Sequence, residues 1–297
     1  MSVLNNTRRN STSPITPNPT GTRVYTGASS HMPITADEHN DSRMTPLKMI
    51  EAELTRIASI SIGGGSNLRT PIGIILDLSQ SMDKHISTLK RLLKYMHTEL
   101  SVVNERDYTL IIVGIYNSQV KILYFGDLHD NLNIDAFIAS IPDHGAGRTP
   151  LATAFEKADK VLEQLTNILE AKEHYYTIPL FFSITDSAST EQNVSTIVDK
   201  FKQDIRENRK IVVEFITRTN PDGLSLGGYQ VNIDTPNNEA VISGFMKAVR
   251  LATASVINRY GFASQPPTRH DRKAYNASMS NTMLTNFRYH YDEWRNQ

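Results

Sequence analysis

The chain has 297 residues, with 31 Lys plus Arg balanced by 31 Asp plus Glu, so no net charge draws it to nucleic acid or anionic lipid. Cysteine is absent, which excludes disulfides, thiolate catalysis and thiolate metal sites. No apolar run approaches the roughly 18 residues of a membrane helix, and the opening Met-Ser-Val-Leu-Asn-Asn-Thr-Arg-Arg-Asn lacks the apolar centre of a signal peptide, so a cytoplasmic protein is expected.

Residues 1–44 are rich in Asn, Ser, Thr, Pro and Gly without apolar period and read as a flexible arm. Residues 45–69 open on Thr45-Pro46, a cap with a first-turn proline. Leu47, Ile50, Leu54 and Ile57 follow at helical spacing, and Gly63-Gly64-Gly65 closes the segment as a linker. A domain over 70–261 comes next. Its first strand is the run Pro71 to Asp77, continuous enough to be buried on both faces as in a parallel sheet. A helix near 83–102 presents Ile86, Leu89, Leu93 and Met96 on one face. The runs Tyr108 to Tyr116 and Val120 to Phe125, split by Asn117-Ser118-Gln119, predict a hairpin and one antiparallel edge strand. Helices are expected near 132–141, from 151, near 191–208 and near 238–259. Strands are expected at Ile178 to Thr185, Ile211 to Thr217 and Tyr229 to Ile233, with 218–228 as loop. Strands alternating with helices predict an α/β fold, a doubly wound, mostly parallel Rossmann-like sheet. Residues 262–297 turn polar again and hold an aromatic-rich run ending in the only tryptophan, Trp294, which suits either an interaction helix or a helix folded back on its own domain.

Three segments of this plan carry side-chain oxygens to one edge of the sheet. Asp77, Ser79 and Ser81 follow the first strand, Thr149 precedes a helix in Gly147-Arg148-Thr149-Pro150, and Asp186 ends the strand after it. Each alone is accounted for as a helix cap. Together they place two carboxylates and three hydroxyls beside the switch point of a 3-2-1-4-5 strand order, where α/β sheets bind ligands. Carboxylates and hydroxyls are hard donors suited to Mg2+ or Mn2+.

On those residues the sequence resembles a von Willebrand factor type A (vWA) domain with a complete metal-ion-dependent adhesion site (MIDAS). Asp77-x-Ser79-x-Ser81, Thr149 in Gly-Arg-Thr-Pro-Leu and Asp186 in Ile-Thr-Asp-Ser match its motif, over about residues 70–260. The Ser-Met ending and the Gly-x-Thr-Pro-Leu loop look most like the bacterial cytoplasmic branch associated with tellurium resistance and stress or phage-defence clusters. The resemblance implies Mg2+, with Mn2+ or Ca2+ as substitutes, bound directly by Ser79 and Ser81, directly or through water by Thr149, and mainly through water by Asp77 and Asp186. It also implies a non-enzymatic module whose ion captures an Asp or Glu of a partner protein. Gln80 and Ser187 stand where the family commonly has glycine, so the backbone there must avoid the left-handed region or tolerate its strain.

Two other readings remain at the level of sequence. Asp77 at the end of a first strand suits an aspartyl nucleophile of a phosphoryl-transfer or hydrolytic enzyme, although Ser79 replaces the acid/base expected two residues on, and His85 and His144 are expected as surface or capping residues. A structural assembly subunit docking through its terminal arms is the other. The cluster Arg269 to Lys273 is too short and mixed in sign for nucleic acid.

Overall fold

A computed structural model describes residues 68–102, 108–128, 132–171, 174–192, 194–217, 223–235, 237–260 and 272–296. The expected helix over Leu47 to Ile57 and the Gly63–65 linker lie outside the described residues.

Strand β1 (Leu68–Asp77) is buried along its whole length because it sits at the centre of the sheet, between β2 (Tyr108–Tyr116) and β5 (Leu180–Thr185), parallel to both. A two-residue strand β4 (Tyr175–Tyr176) pairs with the start of β1. Strand β3 (Gln119–Asp127) returns antiparallel to β2 and forms one edge, while β6 (Ile211–Ile216) and β7 (Tyr229–Asn232) extend the sheet in parallel to the other. The order β3-β2-β1-β5-β6-β7 reverses between β1 and β5, as the sequence pattern predicts. Asn117 and Ser118, with φ of 51° and 63°, make the tight turn between β2 and β3.

Alternation along the strands divides the core into two layers. Ile72, Ile74 and Leu76 of β1 face α1 (Ile86–Ser101), α5 (Asn238–Tyr260) and α6 (Arg272–Arg295), and the short α2 (Ile134–Ser140) joins this layer through Phe137. Ile75 faces α3 (Leu151–Ala171) and α4 (Val194–Arg206). A Cβ on Gly73 would come within 2.7 Å of Leu162 Cδ1, so the bare glycine lets α3 approach the central strand closely.

The helix expected near 83–102 is two elements. A 3-10 segment, Gln80–His85, turns the chain out of the sheet before α1 begins. Residues 223–228 form no helix, consistent with the expected loop. The aromatic run of the tail folds back on its own domain. Phe287 and Tyr291 stack edge-on against Tyr229 of β7 at 4.9 and 4.6 Å between ring centres, and Trp294 lies 5.4 Å from Phe245 of α5. Gly244 permits this, since a Cβ there would stand 2.9 Å from the indole. No helix among the described residues is long and apolar enough to cross a membrane.

Candidate functional site

Asp77 is the last residue of β1 and is fully buried. Its Oδ1 accepts the Ser79 N–H at 3.0 Å and its Oδ2 accepts the Thr185 hydroxyl at 2.7 Å, so the end of β1 is tied to the end of β5. Ser79, also buried, has its Oγ 3.1 Å from that of exposed Ser81. The two hydroxyls of the Asp-x-Ser-x-Ser run therefore converge at hydrogen-bond distance.

The Thr149 loop lies directly on this turn. Ala146 N–H donates to Leu78 O at 3.0 Å, Gln80 N–H donates to Gly147 O at 3.2 Å, and Gly145 N–H donates to Asp83 Oδ1 at 2.8 Å. The approach needs glycine, because a Cβ on Gly145 would sit 2.1 Å from Ser79 O. From the other side the β2–β3 turn braces the loop. Asn117 N–H bonds Ala146 O at 2.9 Å, Arg148 N–H bonds Ser118 Oγ at 2.8 Å, and Gly147 takes φ of 78° against them.

Thr149 itself is buried, and its carbonyl accepts the Thr190 N–H at 3.0 Å from the segment that follows β5. Glu191 adds a second tie by accepting the backbone N–H of Thr153 at 3.1 Å. Asp186, buried at the start of that segment, accepts the Ala188 N–H at 3.0 Å. All three sequence segments thus meet at the carboxyl end of the sheet, linked pairwise by hydrogen bonds.

Burial pushes the carboxyl group of Asp77 up to about 6, against the hydrogen bonds from Ser79 and Thr185 that favour the anion, and the charge of Asp186 pushes the same way as burial. Among the described residues no lysine or arginine forms an ion pair with Asp77 or Asp186. No group of three or more His, Asp or Glu side chains able to hold a metal occurs among them either. Two carboxylates with neighbouring hydroxyls is instead a hard, oxygen-only donor set, which fits magnesium or manganese and not zinc.

The two positions where glycine was the family expectation differ. Gln80 enters the 3-10 turn and avoids positive φ, whereas Ser187 takes φ of 62°. Its strained turn is held from both ends, by Ser187 N–H to Thr185 Oγ1 at 3.0 Å and Leu224 N–H to Ser187 O at 3.0 Å. Thr185 was not singled out from sequence. A hydroxyl directly before the strand-ending aspartate was the available signal.

The expectation for His85 needs correction. It is 6% exposed and its side chain caps nothing, because the 3-10 turn rolls it inward ahead of α1. Burial lowers its imidazole below the ordinary value, against the charges of Asp234 and Asp186. His144 stands on the surface, 3.4 Å from Asp83.

No family model matches the chain, and no curated protein matches it. Its fold is similar to several solved structures. The SpRpn10 VWA domain aligns over 59% of this chain and 94% of its own at 11% identity and a TM-score of 0.43. Manganese-loaded TRAP protein of Plasmodium vivax aligns over 74% of this chain and 75% of its own at 14% identity and 0.36. The pilus adhesin SpaC of Lactobacillus rhamnosus GG, of which 31% is covered, aligns over 76% of this chain at 10% identity and 0.39. Likenesses this distant assign neither a family nor a ligand.

Proposed function

We propose that this chain is a vWA-type, divalent-cation-dependent protein-interaction module and not an enzyme. Asp77, Ser79, Ser81, Thr149 and Asp186 would hold Mg2+, or Mn2+ in its place. Such an ion supplies a positive centre able to take a carboxylate from outside. An inner shell made largely of neutral hydroxyls leaves the ion much of its charge, which favours an Asp or Glu of a partner protein. The observation that carries this reading is the pair of buried carboxylates, Asp77 and Asp186, at one sheet edge beside the converging Ser79 and Ser81 hydroxyls, with no lysine or arginine from the described residues paired to either.

An aspartyl-nucleophile enzyme is disfavoured by the same geometry. Asp77 is fully buried, and Ser79 stands two residues on, where such an enzyme needs its acid/base. Within the vWA class, the Ser81-Met82 ending and the Gly147-to-Leu151 loop favour the cytoplasmic, tellurium-resistance-like branch and a stress or defence complex of bacterial or phage origin.

The test is capture of partner protein from extract of the source cells in Mg2+ and in EDTA, with the wild type and with Asp77→Ala/Ser79→Ala. Capture in Mg2+ alone, abolished by the double variant while its folded spectrum persists, is expected. Equal capture under all conditions would sink the reading.

A further inference from the structure

The segment that follows β6 is anchored from inside the sheet. Glu214, in β6, is 3% exposed. Strand alternation puts its side chain on the α3–α4 face with Val212. Its carboxylate accepts three donors: Leu226 N–H at 2.8 Å, Gly228 N–H at 3.0 Å and Ser225 Oγ at 3.2 Å. Charge-assisted bonds from backbone N–H groups are strong and directional, so a buried carboxylate used this way acts as a template for the loop. Leu226 is fully buried beside it, and Gly228 lies so close to β6 that a Cβ would stand 2.4 Å from Val212 O.

The upper end of the same segment reaches the candidate site. Leu224 N–H holds the Ser187 carbonyl, Ser187 N–H holds Thr185 Oγ1, and Thr185 Oγ1 donates to Asp77 Oδ2. Ser187 takes its left-handed turn between the first two of these bonds. A seryl residue adopts that conformation only where its surroundings over-determine it.

We propose that Glu214 is a positioning residue for the metal site: by fixing residues 224–228 it keeps Ser187 in the left-handed turn that aims Asp186 and Thr185 at Asp77. Glu214 touches none of the proposed ligands. The inference deepens the metal-site reading and rests on it.

The test uses Glu214→Gln, whose amide N–H confronts at least one donor that the carboxylate accepted. Wild type and variant are titrated with Mn2+ alone by calorimetry, and amide hydrogen exchange over residues 185–190 is followed in EDTA. Outer-shell partners of metal ligands typically control affinity by about 10–100-fold, and a loss of that order is expected. Faster exchange at Ser187 and Ala188 in the metal-free variant is expected with it. Adding Ser187→Gly to Glu214→Gln should recover part of the affinity, since glycine takes positive φ without a Cβ penalty. Asp204→Asn, which weakens the fold from the opposite edge of the sheet, should leave Mn2+ affinity within about twofold, as expected for a distant, independent site.

If Glu214→Gln binds Mn2+ like the wild type, or if Asp204→Asn loses as much, Glu214 has no positioning role. Absence of Mn2+ binding by the wild type would instead overturn the metal reading, and the exchange measurement would still decide whether Glu214 holds the loop. Should Glu214→Gln not fold, Ser225→Ala removes one of the three donors, and a smaller loss in the same direction is expected. No loss there overturns the proposal.

Discussion

Two pairs of buried aspartates occupy opposite edges of one sheet, and they are treated in opposite ways. At the amino-terminal edge, Asp159 of α3 and Asp204 of α4 share Lys210, which is buried between them and lies 4.9 Å from the Phe201 ring. Lys200 and Arg209 close the same network from outside, at 2.6 and 2.7 Å. At the carboxyl edge, Asp77 and Asp186 have hydroxyls and backbone N–H groups around them, with no lysine or arginine of the described residues paired to either. Burying unpaired like charges is unfavourable. The first pair is therefore complete as a stabilising element, while the second is arranged for a cation to be added.

Breaking the completed pair should have the largest effect. Lys210→Met leaves Asp159 and Asp204 buried without their shared amine, and removing one partner of a buried ion pair typically costs about 3–5 kcal/mol. Urea denaturation should register that loss equally in EDTA and in Mg2+. A loss that depended on Mg2+ would erase the distinction between the two edges.

The second effect runs in the opposite direction. The folded-state value of Asp77, about 6, is raised above the ordinary carboxyl value of 3.8. The protonated form is thus preferred in the native state, so the penalty is absent below about pH 4 and develops as pH rises through 6. At about 1.4 kcal/mol per pH unit the full penalty is about 3 kcal/mol. In EDTA, Asp77→Asn should be more stable than the wild type by up to that amount at pH 7.5 and equal to it at pH 4. A variant less stable at both pH values would show that the carboxylate is not held at a cost.

Adding the ion should then stabilise the wild type and not the amide variant. At Mg2+ concentrations about 100 times the dissociation constant, linkage predicts about 2.7 kcal/mol. Calorimetric melting of Asp77→Asn with and without Mg2+ should give coincident curves. The smallest effect is expected at Ser187→Gly. Relief of the left-handed strain is offset by the greater freedom of glycine in the unfolded chain, leaving roughly 0.5–1 kcal/mol of stabilisation. Chemical denaturation in EDTA resolves a change of that size.

The sheet and its order were readable because β1 and β5 carry apolar runs, β6 is apolar but for Glu214, and the Asn117-Ser118 turn is a local signal. The five oxygen-bearing residues stood out in sequence as a conjunction of two strand ends, at Asp77 and Asp186, with one helix start, at Thr149. What local pattern does not contain is whatever depends on distant partners. Glu214 looks like an ordinary charge within a strand until residues 225–228 close over it. His85 has helical neighbours in sequence, yet the 3-10 turn rolls it into the interior. The role of the tail was open for the same reason, because Trp294 finds its place only against Gly244 of another helix.

That last contact bears on how the protein is made. Helix α6 leaves the ribosome after every other described element, yet Met279, Met283, Phe287 and Tyr291 complete one of the two core layers. Until it emerges, Tyr229 of β7 and Phe245 of α5 lack the aromatic partners that α6 brings to them. The interval between synthesis of β7 and of α6 is therefore when this aromatic face lacks the helix that covers it.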